Sequence, residues 1–451
     1  MNNTMDNVNL RAVVLDILLE NDKNPGHSNL ITGQALSKFQ YLPKSQRAFI
    51  SRLAEGTIER RIEEDWLIDH VSSVSTKKMK PVIRNIMRMS AYQLKYMDSV
   101  PVSAVCNEAV KLARKRGFSS LTGFVNGVLR SLARDINNIQ YPDKSDFIRY
   151  CMIRYSMPEY VVRILMDECG SCTEDVLKGF EKEHRLYIRC NTGLITPGGL
   201  KKKLTDEGVT VEDTCVPYAF AISGYDYLAD LTSFEEGLFQ VQDLSSILAG
   251  LAVNPNPGDY VVDVCAAPGG KCLHAAQRGS DITVEARDVS EAKVGLIRDN
   301  IERLHMDNVT AKVWDATVKD ESLIGKADIL ICDVPCSGLG ILGRKADIRY
   351  NASAEKTEAL VELQRKILSV CSEYVRPGGY IIYSTCTINS AENEDNVDWF
   401  TANYPFETDS IEKDYPMLKK DSLAKGYVQL LPGIDNTDGF FIARLKKKDV
   451  E

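Results

Sequence analysis

The chain has 451 residues, 44% hydrophobic and 26% charged, and at roughly 150 residues per domain this length suggests about three domains with sizeable cores. No run of about 18 apolar residues occurs, and Met1 to Leu10 lacks a cationic-plus-apolar leader pattern; a membrane-spanning helix is excluded and a cytoplasmic protein is expected. The net charge of −8 argues against a nucleic-acid partner until it is divided: residues 1–140 carry 20 Lys+Arg against 13 Asp+Glu, a net +7, and residues 141–451 carry 35 against 50, a net −15. That asymmetry suggests a basic RNA-binding module joined to an acidic enzyme.

In chain order, residues 5–135 read as helices throughout. Apolar positions recur at helical spacing in Leu10, Val13, Val14, Ile17 and Leu18 and again in Ile83, Ile86, Met87, Met89 and Leu94. Pro81 and Pro101 stand where helices can begin. Asn137, Asn138 and Pro142 mark a break, and residues 147–180 read as helical again. The texture then changes to a small α+β unit, with strands at 186–191, 209–211 and 219–222 around a helix at Pro197 to Glu207. From about Gln240, strands at 260–265, 282–287, 309–313, 329–333, 380–384 and 440–445 alternate with helical stretches. The pattern predicts an α/β fold: a doubly wound, mostly parallel sheet with its ligand at the carboxyl ends of the strands. The expected boundaries are 1–140 for an all-helical domain, 141–238 for linker helices and the small α+β subdomain, and 239–451 for the doubly wound domain.

The first strand of that sheet runs into Cys265-Ala266-Ala267-Pro268-Gly269-Gly270-Lys271 and then a helix. A short loop of small residues lets a ligand approach the backbone at a helix N-terminus. It has neither the G-x-G-x-x-G spacing of a dinucleotide site nor the spacing of a phosphate-binding P-loop. Asp288 ends the second strand, where a carboxylate commonly holds ribose hydroxyls; capping of the helix near Ser290 is the other reading. Asp315 follows the third strand, placed either to accept from an adenine amino group or to cap its loop. Cys336 and Cys386 each lie just past a strand, on loops that open on the ligand face.

The Ala-Ala-Pro-Gly-Gly-Lys loop, Asp288, Asp333-Val334-Pro335-Cys336 and Ser384-Thr385-Cys386-Thr387, in this order, resemble the RNA cytosine-C5 methyltransferases, which use S-adenosylmethionine. Residues 101–110 (Pro-Val-Ser-Ala-Val-Cys-Asn-Glu-Ala-Val) and 124–130 (Phe-Val-Asn-Gly-Val-Leu-Arg) resemble the NusB-like helical RNA-binding domain. Together they resemble the ribosomal small-subunit methyltransferase B family over essentially the whole chain. The fold implied is a Rossmann-like, S-adenosylmethionine-dependent methyltransferase domain behind a NusB-like domain and a small α+β domain. The partner implied is small-subunit (16S) ribosomal RNA. A tRNA cytosine-C5 methyltransferase, or a catalytically silent NusB-like assembly factor, are the rival readings.

Carbon 5 of cytosine is a poor nucleophile until a thiolate adds at carbon 6, and the carbon-5 proton must later leave. By resemblance Cys386 is the nucleophile and Cys336 assists release of the methylated RNA, a division that spacing alone leaves open. Asp333 is expected at the methionine moiety or the cytosine N3/N4 edge. Lys271 lies near the target base, orients Asp333, or is a surface charge at a helix start. The cofactor site implied comprises Cys265, Ala266, Ala267, Pro268, Gly269, Gly270, Lys271, Asp288, Asp315 and Asp333. Arg344, Lys345, Asp347 and Arg349 remain of the family's basic loop, where Gly343 and Ala346 replace an arginine and a proline, and RNA contact is expected there. Glu392-Asn393-Glu394 matches the family and is expected to start a helix. Phe440 is expected in the core.

Basic clusters at Lys77-Lys78-Met79-Lys80, Arg114-Lys115-Arg116 and Lys201-Lys202-Lys203 are candidate phosphate contacts. Lys446-Lys447-Lys448 reads as a solubilising end. The twelve cysteines lack even spacing and read as reduced thiols. Cys169-Gly170-Ser171-Cys172 has no second pair or histidine beside it and reads as structural; no metal site is expected. A monomer is expected.

Overall fold

The computed structural model describes residues 8–279 and 281–449. Residues 1–7 of the leader reading, the helical stretch before Val8, and residues 450–451 lie outside the described residues. The chain forms two compact units, Met1–Glu174 with Leu342–Ala352, and Asp175–Ile341 with Ser353–Glu451.

The first unit is helical. Its helices include Leu10–Lys23, Lys44–Glu59, Arg61–Val71, Pro81–Tyr96, Val102–Lys115 and Thr122–Asp135. Pro81 opens its helix at the first turn and Pro101 caps the next, where proline's missing N–H has no partner to lose. Ile83, Ile86, Met87, Val125, Leu129 and Leu132 meet Leu15 and Ile50 in one core, each worth about 2 kcal/mol of burial. Two of the charged groups buried there are held by specific partners. Arg88 grips Asp65 through two hydrogen bonds of 2.8 and 2.7 Å, and Glu63 accepts from the hydroxyls of Tyr96 and Tyr141.

Residues 342–352 belong to this helical unit although they follow the Pro-Cys motif in the chain. Asp347 accepts from the Ser28 backbone N–H at 2.8 Å, at the start of helix Ser28–Ser37, where the N-cap His27 offers no side-chain bond. The Tyr350 hydroxyl donates to the Glu59 carbonyl at 2.7 Å, and the Arg61 guanidinium lies 3.8 Å from the Tyr350 ring centre. Arg349 is buried and donates to the Leu342 carbonyl at 2.8 Å. The expectation of RNA contact is therefore corrected for Asp347 and Arg349, which are buried inside this unit; Lys345 stays exposed.

The second unit holds two sheets. The smaller joins β1 (Leu186–Cys190), β2 (Thr210–Asp213), β3 (Ala219–Ser223) and β4 (Phe239–Val241), all antiparallel, in the order β2-β3-β1-β4. Ile188, Phe220 and Phe239 pack there against Leu200 and Leu204 of helix Pro197–Asp206. The larger joins β5 (Tyr260–Asp263), β6 (Thr283–Asp288), β7 (Val309–Val313), β8 (Ala327–Asp333), β9 (Val375–Thr385), β10 (Phe406–Thr408), β11 (Tyr427–Leu430) and β12 (Phe440–Lys447). Its order is β10-β12-β9-β8-β5-β6-β7, with β11 also on β12. The run from β9 to β7 is parallel, and β12 is antiparallel to β9.

Strand alternation divides the large sheet's residues between two cores. Val261, Ile329, Ile331 and Ile382 face helices Leu244–Val253 and Gly270–Ala276, while Val262, Leu330, Cys332 and Tyr383 face helices Ala354–Cys371 and Glu394–Asn403. This is the doubly wound α/β fold expected. The first strand, β5, has β6 on one side and β8 on the other, so the order reverses there and leaves a crevice at the strands' carboxyl ends.

Two sequence expectations are corrected. β9 starts at Val375, not Tyr380, because a register irregularity opposite Ala327 and Ile329 lets Pro377-Gly378-Gly379 be carried in a strand. Lys446 and Lys447 are not a loose end but the last residues of β12, and Lys447 Nζ donates to the carbonyls of Val375 at 2.7 Å and Ser372 at 3.3 Å.

Candidate active site

The carboxyl ends of β5, β6, β7, β8 and β9 meet at the crevice. β5 delivers the Cys265–Gly270 loop, whose Gly269 has φ of +107°, and helix Gly270–Ala276 starts at once. A Cβ at Gly269 would stand 2.9 Å from a Leu273 methyl as well as forcing that dihedral on an L side chain. Asp288, at the end of β6, closes the loop from the other side. Its carboxylate accepts from the Ala267 N–H at 3.1 Å and the Val289 N–H at 2.8 Å, and Lys293 Nζ lies 3.2 Å away. The helix after it is capped by Ser290, so the capping reading of Asp288 is set aside. Asp315 is exposed after β7, and its Oδ1 accepts from both the N–H and hydroxyl of Thr317 at 2.8 Å. Those bonds hold its carboxyl below the usual range.

A cavity of about 510 Å³ lies over these residues. It presents the carboxylates of Asp288, Asp315 and Asp333 beside the apolar surfaces of Val289, Trp314 and Leu363. Carboxylates accept from ribose hydroxyls and an ammonium group and complement a sulfonium charge, while the apolar walls suit an adenine face. The acceptor set and size fit S-adenosylmethionine.

At the end of β8, Asp333 is held from both sides. Lys271 Nζ lies 2.7 Å from Oδ2 and the Ser384 hydroxyl donates to Oδ1 at 2.7 Å. Lys271 is buried and also donates to the Ser246 hydroxyl at 3.3 Å, so the surface-charge reading is corrected: the helix start faces inward here. Below it, burial and then the Asp333 charge push the Asp263 carboxyl up to about 8.

Cys336 and Cys386 come together, with sulfurs 3.2 Å apart, and the Cys386 N–H donates to Cys336 Sγ at 3.3 Å. Neither is in a disulfide, and both line the cavity wall. The hydrogen bond to Cys386 and burial push the Cys336 thiol well above its ordinary value. Two backbones cross beside them. The Gly340 N–H donates to the Cys386 carbonyl at 3.0 Å, and the Gly439 N–H to the Gly340 carbonyl at 2.8 Å. A Cβ on Gly340 would stand 2.1 Å from the Gly439 oxygen.

The structure thus gathers Cys265, Ala267, Asp288, Asp315, Asp333, Cys336 and Cys386 on one cavity, with Lys271 reaching it through Asp333; Ala266, Pro268, Gly269 and Gly270 shape the loop behind. Sequence reading missed Val289, Trp314, Leu363 and Ser246. Apolar residues in the loop positions after β6 and β7, Val289 and Trp314, were the one available signal, and Val289 is 59% exposed. Asp263 was also passed over, although a carboxylate inside an apolar strand was a visible flag. Among the described residues no group of three His, Cys, Asp or Glu side chains is arranged to hold a metal ion, and no helix is long and apolar enough to cross a membrane. Cys172 Sγ donates to the Cys169 carbonyl at 2.9 Å. Lys201 pairs with Asp213 and Lys203 with Glu236.

Residues 250–446 match the family model 16S rRNA methyltransferase RsmB/F, and residues 8–134 match the NusB family. The "Probable ribosomal RNA small subunit methyltransferase B" of Bacillus subtilis (strain 168) is 31% identical over 98% of this chain and 100% of its own length. The ribosomal RNA small subunit methyltransferase B of Vibrio cholerae serotype O1 is 27% identical over 98% of each. Among solved structures, PH0851 superposes with a TM-score of 0.80 at 24% identity, over 97% of this chain and 98% of that one. A methyltransferase homolog protein from Pyrococcus horikoshii gives 0.58 at 25% identity, over 67% of this chain and 99% of that one. Fold and site define an S-adenosylmethionine-dependent methyltransferase with a NusB-like helical region. Within that class, the chain belongs to the ribosomal RNA small subunit methyltransferase B family.

Proposed function

We propose that this protein methylates carbon 5 of a cytosine in small-subunit (16S) ribosomal RNA through a covalent Cys386–carbon 6 adduct. The observation that carries the reading is the pair of thiols 3.2 Å apart at the ends of adjacent parallel strands, on the wall of a cofactor-sized cavity. Bound S-adenosylmethionine supplies an electrophilic methyl group on a sulfonium sulfur. In this reading Asp288 and Asp315 hold its ribose and adenine, and Cys265 and residues 266–270 shape its bed. Cys386, as thiolate, adds to carbon 6 of an unstacked cytosine and makes carbon 5 nucleophilic. Asp333, fixed by Lys271 and Ser384, stabilises the activated ring at its N3/N4 edge. After transfer a solvent water takes the carbon-5 proton, the Cys386–carbon 6 bond breaks with its electron pair returning to the Cys386 sulfur, and the Cys336 thiol, kept protonated beside Cys386, assists release by donating a hydrogen bond to that departing thiolate.

The helical region 1–140 and the segment 141–238 grip the RNA, and 239–451 carries the chemistry. The ribosomal substrate places the protein in the cytoplasm. The test is transfer from labelled S-adenosylmethionine to unmodified small-subunit ribosomal RNA, with tRNA alongside and nucleoside analysis of the product. Cys386→Ala is expected to lose 5-methylcytidine formation by about 10³-fold or more. Activity retained in Cys386→Ala refutes the nucleophile assignment. Transfer to tRNA alone refutes the substrate, and RNA binding without transfer supports a silent assembly factor.

A further inference from the structure

The Pro-Cys loop is held by buried side chains that the reaction scheme above does not use. Glu392 lies in a short 3₁₀ turn, Ser390–Glu392, and is fully buried. Its Oε2 accepts from the Ser337 N–H at 2.8 Å and its Oε1 from the Ser337 hydroxyl at 2.5 Å. Gln364, fully buried on helix Ala354–Cys371, donates to Glu392 Oε2 at 3.0 Å and to the Pro335 carbonyl at 2.9 Å. The two residues flanking Cys336 are therefore clamped from one side by one carboxylate–amide pair. The Ser337 hydroxyl also meets that of Thr387 at 2.8 Å, which ties the clamp to the residue after Cys386. Asn389 Nδ2 completes the set at 3.5 Å from Oε1.

Every main partner of this carboxylate is a donor: one backbone N–H, one hydroxyl and amide NH₂ groups. Only an acceptor with no hydrogens of its own satisfies them all. An amide in its place turns an NH₂ group toward another donor in a site closed to water, and that site must then open. Tyr383 and Asn396 seal the far side, the tyrosine donating to the Glu392 carbonyl at 2.5 Å and Asn396 Nδ2 to Gln364 Oε1 at 2.8 Å.

We propose that Glu392, with Gln364, is a positioning residue that fixes Cys336 against Cys386 for release of the methylated RNA. The inference rests on the release role proposed above for Cys336. The hydrogen bonds of Glu392 and Gln364 to this loop end on Pro335 and Ser337, and none goes to Asp288, Asp315 or Asp333, so loss of the clamp is expected to leave cofactor affinity in place.

The test uses the full-length protein with small-subunit ribosomal RNA and S-adenosylmethionine, comparing Glu392→Gln, Ser337→Ala, Cys336→Ala and wild type. Protein–RNA adducts are read on denaturing gels. Glu392→Gln is expected to accumulate adduct as Cys336→Ala does, with 5-methylcytidine release slowed about tenfold or more and unchanged affinity for S-adenosylmethionine. Ser337→Ala keeps the N–H bond and is expected to show a smaller accumulation. A role in stability alone would lower the melting temperature without trapping adduct. A second readout is alkylation of Cys336 by iodoacetamide in a Cys386→Ala background, resolved by mass spectrometry. Glu392→Gln is expected to speed it about threefold or more, as the loop loosens and a nearby negative charge is removed.

Adduct trapped by Cys336→Ala but not by Glu392→Gln overturns the proposal, and so does an unchanged alkylation rate. No adduct in Cys336→Ala refutes the release role instead, and alkylation then decides the positioning role by itself. If Glu392→Gln does not fold, Ser337→Ala decides, and no change in either readout overturns the proposal.

Discussion

Lys271 and Asp333 form an ion pair whose lysine is buried and whose aspartate side chain is one-third exposed. Removing one partner of a fully buried pair costs about 3–5 kcal/mol; solvent at Asp333 screens part of that, and Lys271→Met is expected to cost about 2 kcal/mol. Urea unfolding at neutral pH checks it, and a loss under a few tenths would mean the pair is already solvated. Asp263 makes a pH prediction. Its carboxyl titrates near 8 in the folded chain and near its ordinary value in the unfolded one. Below the unfolded value both states are protonated and the contribution is fully present. As pH rises toward 8 the unfolded chain loses its proton first, so stability falls across that window and levels off above it. Asp263→Asn is expected to flatten this fall between pH 6 and 8, measured as the shift in urea midpoint.

Among the elements, the glycine crossing beside Cys386 leaves no room for a side chain. Gly340→Ala sets a methyl against the backbone of Gly439, and overpacking of this kind costs about 1–3 kcal/mol. Because the Gly340 N–H also holds the Cys386 carbonyl, methyl transfer is expected to fall further than stability does, read as kcat at a temperature well below the melt. In the helical unit, Tyr350→Phe removes the hydroxyl that satisfies the carbonyl of Glu59, at the end of its helix. A loss of about 1–2 kcal/mol in that unit's unfolding is expected. These elements also show what patterning could reach. The helices from Leu10 to Asp135 and the large-sheet strands β5 to β9 and β12 followed from periodicity. β4, β10 and β11 span only three or four residues each and exist because β1 and β12 offer partners far away in sequence.

Over the whole molecule the division of charge is the feature to test. Lys77, Lys78 and Lys80 are exposed on the helical unit, whereas Lys201 and Lys203 are occupied by Asp213 and Glu236. Lys77→Gln, Lys78→Gln and Lys80→Gln together are expected to lower the slope of log affinity for ribosomal RNA against log salt, by about 0.7 for each phosphate these lysines neutralise. The same three changes at Lys201–Lys203 are expected to change it less. Filter binding across a salt series separates the two, and equal effects would show that the ion pairs on the small sheet open when RNA binds.

Fold class, the order of the parts and the two cysteines were legible in the chain alone, because hydrophobic period is local and because motif spacing survives without coordinates. Asp288, Asp333 and Lys271 stood out on the same grounds. What each of these side chains touches was settled by the folded arrangement. Lys271 turns inward to Asp333 and away from solvent, the 342–352 segment spends Asp347 and Arg349 inside the helical unit, and Lys447 ends a strand. The thiols of Cys336 and Cys386, 50 residues apart in the chain, meet only because β8 and β9 are neighbours. Glu392 reaches Ser337 for the same reason. Such pairings depend on which strands lie side by side, a property of the assembled sheet that no window along the chain contains.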